Sequence, residues 1–214
     1  MGSRQEMRSE ETKNAILKAA GELFSQKGFE AVSIREIAKA AGCSHTTLYI
    51  YFADKEALLH QLSIGPLQAL QEQMEAALSD SSLSPEGRLK KVSLQFITFC
   101  LLHRTMHTLF FMVKASRVDV AAEPTEELQI QRTRLFEVLR RALIACLPEH
   151  DQQDENLAFA RIYTYTLQGI IGTYTHSEET VEQLLERLTP TFELSLEVLL
   201  EGCKQVLRRG EGRG

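Results

Sequence analysis

Residues 33–55 constrain the fold more than any other segment, because they combine two short helix signals with a glycine turn between them. Ser33 and Glu36 have the S-x-x-E spacing of a capping box, which predicts a helix that begins at the residue after Ser33. Gly42 can adopt the positive φ that closes this helix, and Ser44 can cap the next one. Two short helices joined by a tight turn that contains glycine form a helix-turn-helix motif.

The second of these helices carries little apolar surface. Its small, hydroxylated and aromatic side chains are Ser44, His45, Thr46, Thr47, Tyr49 and Tyr51. We expect only Leu48 and Phe52 to lie in a core. Packing alone explains such a helix poorly, whereas a helix that reads DNA bases needs exposed side chains of these types.

The motifs around this segment resemble those of the tetracycline-repressor (TetR) family of bacterial transcription regulators. In order and spacing they are Phe24, Gly28-Phe29, Ser33-Ile34-Arg35-Glu36-Ile37-Ala38, Ala41-Gly42, Thr47-Leu48-Tyr49, Tyr51-Phe52 and Lys55-Glu56-Ala57-Leu58-Leu59. The resemblance covers residues 9–60, and the rest of the chain is similar to the family in length and helical character.

An all-α fold is predicted, because apolar residues recur at helical spacing along the chain and strand-like alternation is rare. The resemblance implies an N-terminal three-helix helix-turn-helix DNA-binding domain over residues 1–60. It also implies a C-terminal helical ligand-binding and dimerisation domain over residues 61–208, followed by a polar tail over residues 209–214.

Several helix ends can also be placed from the sequence. Ser9, Asp54 and Ser177 are the expected caps of the first, fourth and last helices. Pro66 and Pro190 fall inside helical patterns, where proline removes a backbone donor and clashes with the preceding turn. We expect each proline to kink or break its helix.

The resemblance implies that double-stranded operator DNA is a partner. The expected contact residues are Ser33, Arg35, Ser44, His45, Thr46, Thr47, Tyr49, Tyr51 and Lys55. His45 stands where many relatives carry Lys or Arg, and Thr46 replaces a common glycine. Tyr49 and Tyr51 have the alternative of packing in the core. Lys55 lies in the first turn of its helix, where a cation is unfavourable, so a phosphate contact is its expected role.

Charge by itself does not indicate a nucleic-acid partner. The net charge is −5, and residues 1–60 contain eight Lys or Arg and eight Asp or Glu. Between Val32 and Phe52 the charged residues are Arg35, Glu36 and Lys39. Modest phosphate neutralisation by a dimer is enough for regulated binding, since sequence specificity comes from base edges.

A cluster rich in aromatic and methionine side chains lies in the C-terminal part. Core packing is the default interpretation of its helical spacing, but the equivalent region of the family resembles a ligand pocket. The expected ligand-binding residues are Phe96, Phe99, Cys100, His103, Met106, His107, Phe110, Phe159, Tyr163 and Leu167. A lining of this kind indicates a lipophilic effector.

Catalysis and cofactor binding are not expected. His103 and His107 are four residues apart, a spacing that suits a metal, but a third ligand at a matching period is missing. The sequence also lacks a nucleophile elbow, a Gly-rich phosphate loop and a characteristic carboxylate pair. We therefore predict a protein that is not an enzyme, with no catalytic residue, no metal and no cofactor.

Residues 154–174 are apolar on two faces, which predicts a helix that is buried on two sides. We expect this helix and the last helix to pair with their copies across a two-fold axis, as a homodimeric four-helix bundle. The expected interface residues are Gly169, Ile170, Gly172, Leu185, Leu188, Phe192 and Leu196.

A cytoplasmic location without a membrane partner is expected. Residues 96–113 are the most apolar stretch, but His103, Arg104 and His107 interrupt it, which argues against a membrane span. The first residues are polar and charged, unlike a signal peptide. The cysteines lack paired spacing and are expected to be reduced thiols; they are Cys43, Cys100, Cys146 and Cys203.

The favoured function is that of a ligand-responsive DNA-binding transcription regulator. In its simplest form it is a repressor that a lipophilic small molecule releases from an inverted-repeat operator. The alternative is a helical, dimeric protein-interaction module whose helix-turn-helix is vestigial.

Overall fold

A computed structural model describes residues 4–107, 127–148 and 153–211 of the 214-residue chain. The helices in these ranges are α1 (Arg4–Lys27), α2 (Ile34–Ala40), α3 (His45–Tyr51), α4 (Lys55–Leu78), α5 (Pro85–Leu102), α6 (Arg104–His107), α7 (Glu127–Ile144), α8 (Gln153–Tyr174) and α9 (Val181–Glu211). Within the described ranges, turns and short loops connect consecutive helices. The predicted all-α fold is confirmed for the part of the chain that these ranges cover.

The chain divides into two compact units, Met1–Pro66 and Leu67–Gly214. Helix α4 contributes its first half to one unit and its second half to the other, so the predicted boundary after residue 60 falls inside this helix. Helix α9 continues through Glu211, so the segment predicted as a tail begins as helix. Residues 212–214 of that segment lie outside the described ranges.

The N-terminal unit has one core built from α1, α2, α3 and the start of α4. Its buried residues are Ile16, Ala20, Val32, Ile37, Ala38, Leu48, Phe52 and Leu58. Leu48 and Phe52 are the two residues of the α3 segment that we expected in a core, and this expectation is confirmed. The core therefore fixes which side of α3 faces inwards.

The C-terminal unit is built from α5, α7, α8 and α9 and the second half of α4. Ser84 caps α5 by accepting a hydrogen bond from the amide of Gly87, and Pro85 occupies the first helical position. In the interior, the hydroxyls of Ser93 on α5 and Tyr163 on α8 lie 2.5 Å apart. None of the described helices combines the length and apolarity that crossing a bilayer requires.

The predicted helix ends have mixed outcomes. Asp54 does cap α4, because its carboxylate accepts a 2.7 Å hydrogen bond from the amide of Ala57. Ser9 does not cap α1, which extends back to Arg4 through residues of good helix propensity. Ser177 does not cap α9 either: the hydroxyl of Thr180 accepts from the amide of Gln183.

Both internal prolines lie within continuous helices. Helix α4 runs through Pro66, and α9 runs through Pro190. Neither residue ends its helix, so a break is excluded at both positions.

Candidate DNA-binding surface

Local hydrogen bonds set the geometry of α2 and of the turn that follows it. The hydroxyl of Ser33 accepts from the amide of Glu36, and the Glu36 carboxylate accepts a 2.9 Å hydrogen bond from the amide of Ser33. This is the predicted capping box. Gly42 has φ of 68°, a conformation that costs an L-residue with a Cβ roughly 1–2 kcal/mol. Ser44 then caps α3, because its hydroxyl accepts a 2.9 Å hydrogen bond from the amide of Thr47.

Glu36 connects the capping box to the end of α1. Its carboxylate also accepts a 3.0 Å hydrogen bond from the Lys27 ammonium. The Ser33 amide is the largest cause that lowers the pKa of Glu36, to about 2, and Lys27 adds to it. The carboxylate is therefore ionised at neutral pH. Its hydrogen bonds to Ser33 and Lys27 connect the N-terminus of α2 to the C-terminus of α1.

Most of the residues expected at DNA lie on the exposed side of the motif. Helix α3 is fixed by buried Leu48, and its other side faces outwards. The exposed members of the predicted set are Ser33, Arg35, Ser44, His45, Thr46 and Tyr49, and Thr47 is half-buried. The Ser33 hydroxyl is already used in the capping box, so its mutation would affect both folding and any DNA contact.

Tyr49 and His45 form a pair of rings one helical turn apart. The ring centroids lie 4.8 Å apart and the planes meet at 88°, an edge-to-face geometry that aromatic rings favour. The Tyr49 side chain remains 48% exposed. Tyr49 is therefore an exposed aromatic with a fixed orientation and not the core residue that was its alternative.

Tyr51 and Lys55 have structural partners. Tyr51 packs against the core of the N-terminal unit, and its hydroxyl lies 3.2 Å from the hydroxyl of Ser9. The Lys55 ammonium donates to the carbonyl oxygens of Phe29 and Val32 and lies 4.2 Å from the Phe29 ring centroid. These contacts join α4 to the loop after α1. We therefore revise the predicted role of Lys55 from a phosphate contact to a residue that stabilises the packing of α4 on this loop.

One exposed residue of α3 was missed by the sequence analysis. Ile50 has 76% of its surface exposed, although it lies between Tyr49 and the half-buried Tyr51. Its position could have been found from the helix period, because Ile50 lies on the side of α3 opposite Leu48.

The residues expected to bind an effector are mostly packed in the C-terminal unit. The buried members are Phe96, Cys100, Met106, His107, Phe159, Tyr163 and Leu167, and the half-buried members are Phe99 and His103. Phe110 lies outside the described residues. Phe159 also lines an open groove between α8 and α9. The effector pocket stays a prediction.

Burial changes the chemistry of the histidines in this group. Desolvation lowers the pKa of His103, whose ring centroid lies 4.5 Å from that of Phe99. Desolvation also lowers the pKa of His107, and Nε2 of this residue lies 2.7 Å from the side-chain oxygen of Gln168. Both rings are therefore neutral at pH 7. In the described ranges, no group of three or more metal-ligating side chains is positioned to hold an ion.

The predicted dimer residues divide into exposed and buried positions. Gly169 and Gly172 are exposed, and Ile170 and Leu185 are half-buried. The three large α9 residues of the prediction are buried within their own chain: Leu188 is 7% exposed, Phe192 2% and Leu196 2%. That stripe of α9 packs inside its own unit and leaves little surface for a second copy, and the role of these three residues at a dimer interface stays a prediction.

A different apolar surface of α8 and α9 is exposed. Leu194 is 57% exposed and Val198 66%, and Ile162 and Tyr165 on α8 and Val206 on α9 are also at least half exposed. An open groove of about 670 Å³ lies at this surface, and its lining includes Phe159, Ile162, Thr166, Leu194, Val198, Gly202 and Val206. We call this surface the α8/α9 groove.

The helix-turn-helix part of the chain matches known proteins. Residues 16–62 match the family described as bacterial regulatory proteins, tetR family. The uncharacterized HTH-type transcriptional regulator YdgC of Bacillus subtilis is 33% identical over 84 residues, which are 39% of this chain and 43% of the relative. The HTH-type transcriptional regulator RutR of Escherichia coli K12 is 45% identical over 67 residues, 28% of this chain and 32% of the relative. The chain thus spans less than half the length of these curated relatives.

Solved structures share the fold over most of the chain. A transcriptional regulator of the TetR/AcrR family from Thermobifida fusca has a TM-score of 0.59 at 22% identity, covering 89% of this chain and 97% of its own. The fatty acid degradation regulator FadR from Bacillus halodurans has a TM-score of 0.57 at 16% identity, covering 88% and 98%. These likenesses show the fold, and the match at residues 16–62 identifies the helix-turn-helix. At residues 16–62 the chain therefore carries the helix-turn-helix of the family described as bacterial regulatory proteins, tetR family.

Proposed function

We propose that the chain is a sequence-specific DNA-binding transcription regulator that acts as a homodimer. The observation that carries this proposal is the exposed face of α3, which presents His45, Thr46 and Tyr49 while buried Leu48 anchors the helix. The curated relatives that match this part are HTH-type transcriptional regulators. A protein that acts on bacterial chromosomal DNA works in the cytoplasm, which is the location we propose.

The positions of the charged residues support different roles for α2 and α3, with phosphate contacts from α2 and base contacts from α3. Helix α3 has no Lys, Arg, Asp or Glu, whereas α2 carries Arg35 and Lys39 at exposed positions. Cations bind phosphates and fix the register of a protein on the duplex, while hydroxyl and aromatic groups contact base edges. We assign the phosphate contacts to Arg35 and Lys39 and the base contacts to Thr46, Tyr49 and their neighbours on α3.

The α8/α9 groove supports a dimer. Several large apolar side chains are exposed there, and monomeric proteins rarely leave such patches uncovered. The glycines Gly169, Gly172 and Gly202 have open space where a Cβ would lie, so a second copy can approach closely. A two-fold dimer places its recognition helices about 34–36 Å apart, which predicts an inverted-repeat operator.

We further propose that the regulator is a repressor released by a lipophilic small molecule. The support is the apolar character of the α5 and α8 residues and the neutral, half-buried ring of His103 beside Phe99. Helix α4 is continuous and contributes to both units, so a ligand that shifts its second half can act on its first half. A coupling of about 1–3 kcal/mol corresponds to a 5- to 150-fold change in operator affinity.

The test is a DNA selection followed by direct titration. Full-length protein is used to select duplexes from a random library, and the enriched duplex is titrated in a mobility-shift assay. We expect the enriched duplex to be an inverted repeat, and we expect the protein to bind it far more tightly than a scrambled duplex. Failure to enrich any duplex would contradict the proposal and favour the protein-interaction module with a vestigial helix-turn-helix.

The effector is tested on the same duplex. Lipophilic compounds of graded chain length are added to the preformed complex, and release is followed by fluorescence anisotropy. Phe99→Ala is expected to retain operator affinity and to respond less to an active compound than the parent protein does. An unchanged response would place the effector elsewhere.

A further inference from the structure

The exposed face of α3 has an apolar centre. At 100° per residue, Thr46 and Ile50 lie about 160° and 200° from Leu48, on the side opposite the core. Ile50 is 76% exposed, the largest fraction among the exposed large hydrophobic residues of the described ranges. Thr46, one turn earlier, is also exposed and adds a methyl group. The middle of the proposed base-contacting face therefore carries the aliphatic side chain of Ile50 and the methyl group of Thr46, beside the Thr46 hydroxyl.

Polar groups flank this centre. Tyr49 and His45 form their ring pair on one side, and Thr47 with Ser44 lies on the other, with the two hydroxyl oxygens 2.6 Å apart. Helix α3 has no arginine or lysine, so it cannot make the bidentate contact to guanine that is the commonest specific contact in the major groove. The available chemistry is hydroxyl, ring and aliphatic.

In the major groove, the apolar feature of the base edges is the C5-methyl group of thymine. Resting on the proposed function, we infer that Ile50, supported by Thr46, is a specificity-determining residue that reads a thymine methyl in each half-site. Burial of one methyl group of this kind tightens binding, and lowers the dissociation constant by about fourfold. The inference adds a residue and a chemical class of base contact to the proposed DNA interface.

The test removes only the methyl group from the DNA. In the selected duplex, each thymine is replaced in turn by 2′-deoxyuridine, at symmetry-related positions together, and the dissociation constants are measured for the parent protein and Ile50→Ala. For the parent we expect a loss of roughly 16-fold when the methyl group is removed at one position of both half-sites, which is about fourfold for each methyl group. Ile50→Ala should bind the original duplex more weakly by a similar factor and should show no further loss at that position.

Two controls separate a methyl contact from other effects. Met7→Ala removes another exposed apolar side chain of the same unit and should keep the full deoxyuridine penalty. At the same base pair, the parent protein should bind 5-methylcytosine more tightly than cytosine, and Ile50→Ala should not distinguish them. Since Ile50 is so exposed, circular dichroism should show an unchanged fold for the variant.

The possible outcomes separate the inference from the function on which it rests. An equal deoxyuridine profile for the parent and Ile50→Ala overturns the inference and leaves the DNA-binding function in place. A library selection that enriches no duplex overturns both. Retained operator affinity in Ile50→Ala also overturns the inference, and would leave Ile50 as a surface for a protein partner.

Discussion

The ammonium of Lys55 donates a 2.7 Å hydrogen bond to the carbonyl oxygen of Phe29. A second donation, to Val32, spans 3.1 Å, so the two bonds hold the loop before α2 against the start of α4. Without this ammonium, the carbonyl oxygen of Phe29 would keep only the 3.4 Å hydrogen bond from the amide of Val32. Lys55 therefore stabilises the fold of the helix-turn-helix unit, in addition to adding a positive charge to it.

We expect Lys55→Ala to lower the free energy of unfolding by about 1.5–3 kcal/mol, the scale of a hydrogen bond to a charged group. The measurement is urea denaturation followed by circular dichroism. Lys39→Ala is the matched control, because this lysine is exposed on α2 and its loss should cost little stability. The salt dependence of DNA binding should flatten more in the control than in Lys55→Ala. The opposite ranking would restore Lys55 as a phosphate contact.

Two substitutions on α9 should separate dimerisation from folding. Val198→Glu places a charge on the exposed α8/α9 groove, and we expect a folded monomer, because a charge buried without a partner at an interface is costly. Leu188→Glu places the same charge inside the chain and should instead unfold the C-terminal unit. Light scattering reports the mass and circular dichroism the fold. If the Val198→Glu protein were still a dimer, the dimer interface would have to lie elsewhere than at this groove.

Tyr49→Ala should weaken operator binding by about 1–3 kcal/mol per half-site, the scale of a lost base contact. Its effect on the thermal midpoint should be small, because the ring is 48% exposed. Tyr49→Phe keeps the ring that packs on His45 and removes only the hydroxyl, so it separates ring placement from hydrogen bonding. If Tyr49→Ala lost stability and kept its affinity for the operator, Tyr49 would be a packing residue.

Acid should remove the contribution that the ionised Glu36 carboxylate makes to the stability of the N-terminal unit. The pKa of Glu36 is lowered from 4.5 to about 2, so the ionised carboxylate stabilises the folded state above about pH 4.5, and this contribution is lost as the pH falls towards 2. Glu36→Gln keeps a capping-box acceptor and removes the charge. We expect it to be less stable than the parent protein at pH 7, with a difference that shrinks between pH 4.5 and pH 2.

The matched control for this titration is Glu30→Gln, at an exposed position outside the capping box. Its difference from the parent should stay small across the same pH range. Chemical denaturation at fixed pH values provides the comparison. A Glu36→Gln difference that did not depend on pH would contradict the prediction, because it would mean that ionisation of Glu36 does not stabilise the folded state.

The sequence by itself determined the local geometry of the helix-turn-helix. The capping box of Ser33 and Glu36, the positive φ of Gly42 and the cap at Ser44 were all predicted and all occur. Each depends on residues only a few positions apart, whose backbone preferences and hydrogen bonds act within one turn. Such interactions can be read from residue types and spacing without knowledge of the rest of the chain.

Only the tertiary structure decided which apolar residues are buried and which are exposed. The sequence marks Leu188 and Val198 alike as apolar residues of α9, yet the first packs inside the unit and the second faces outwards. The roles of Lys55 and Ile50 also depend on the relative placement of helices within the N-terminal unit. Helical periodicity defines a stripe, but contacts between residues distant in sequence select the stripe that faces the core.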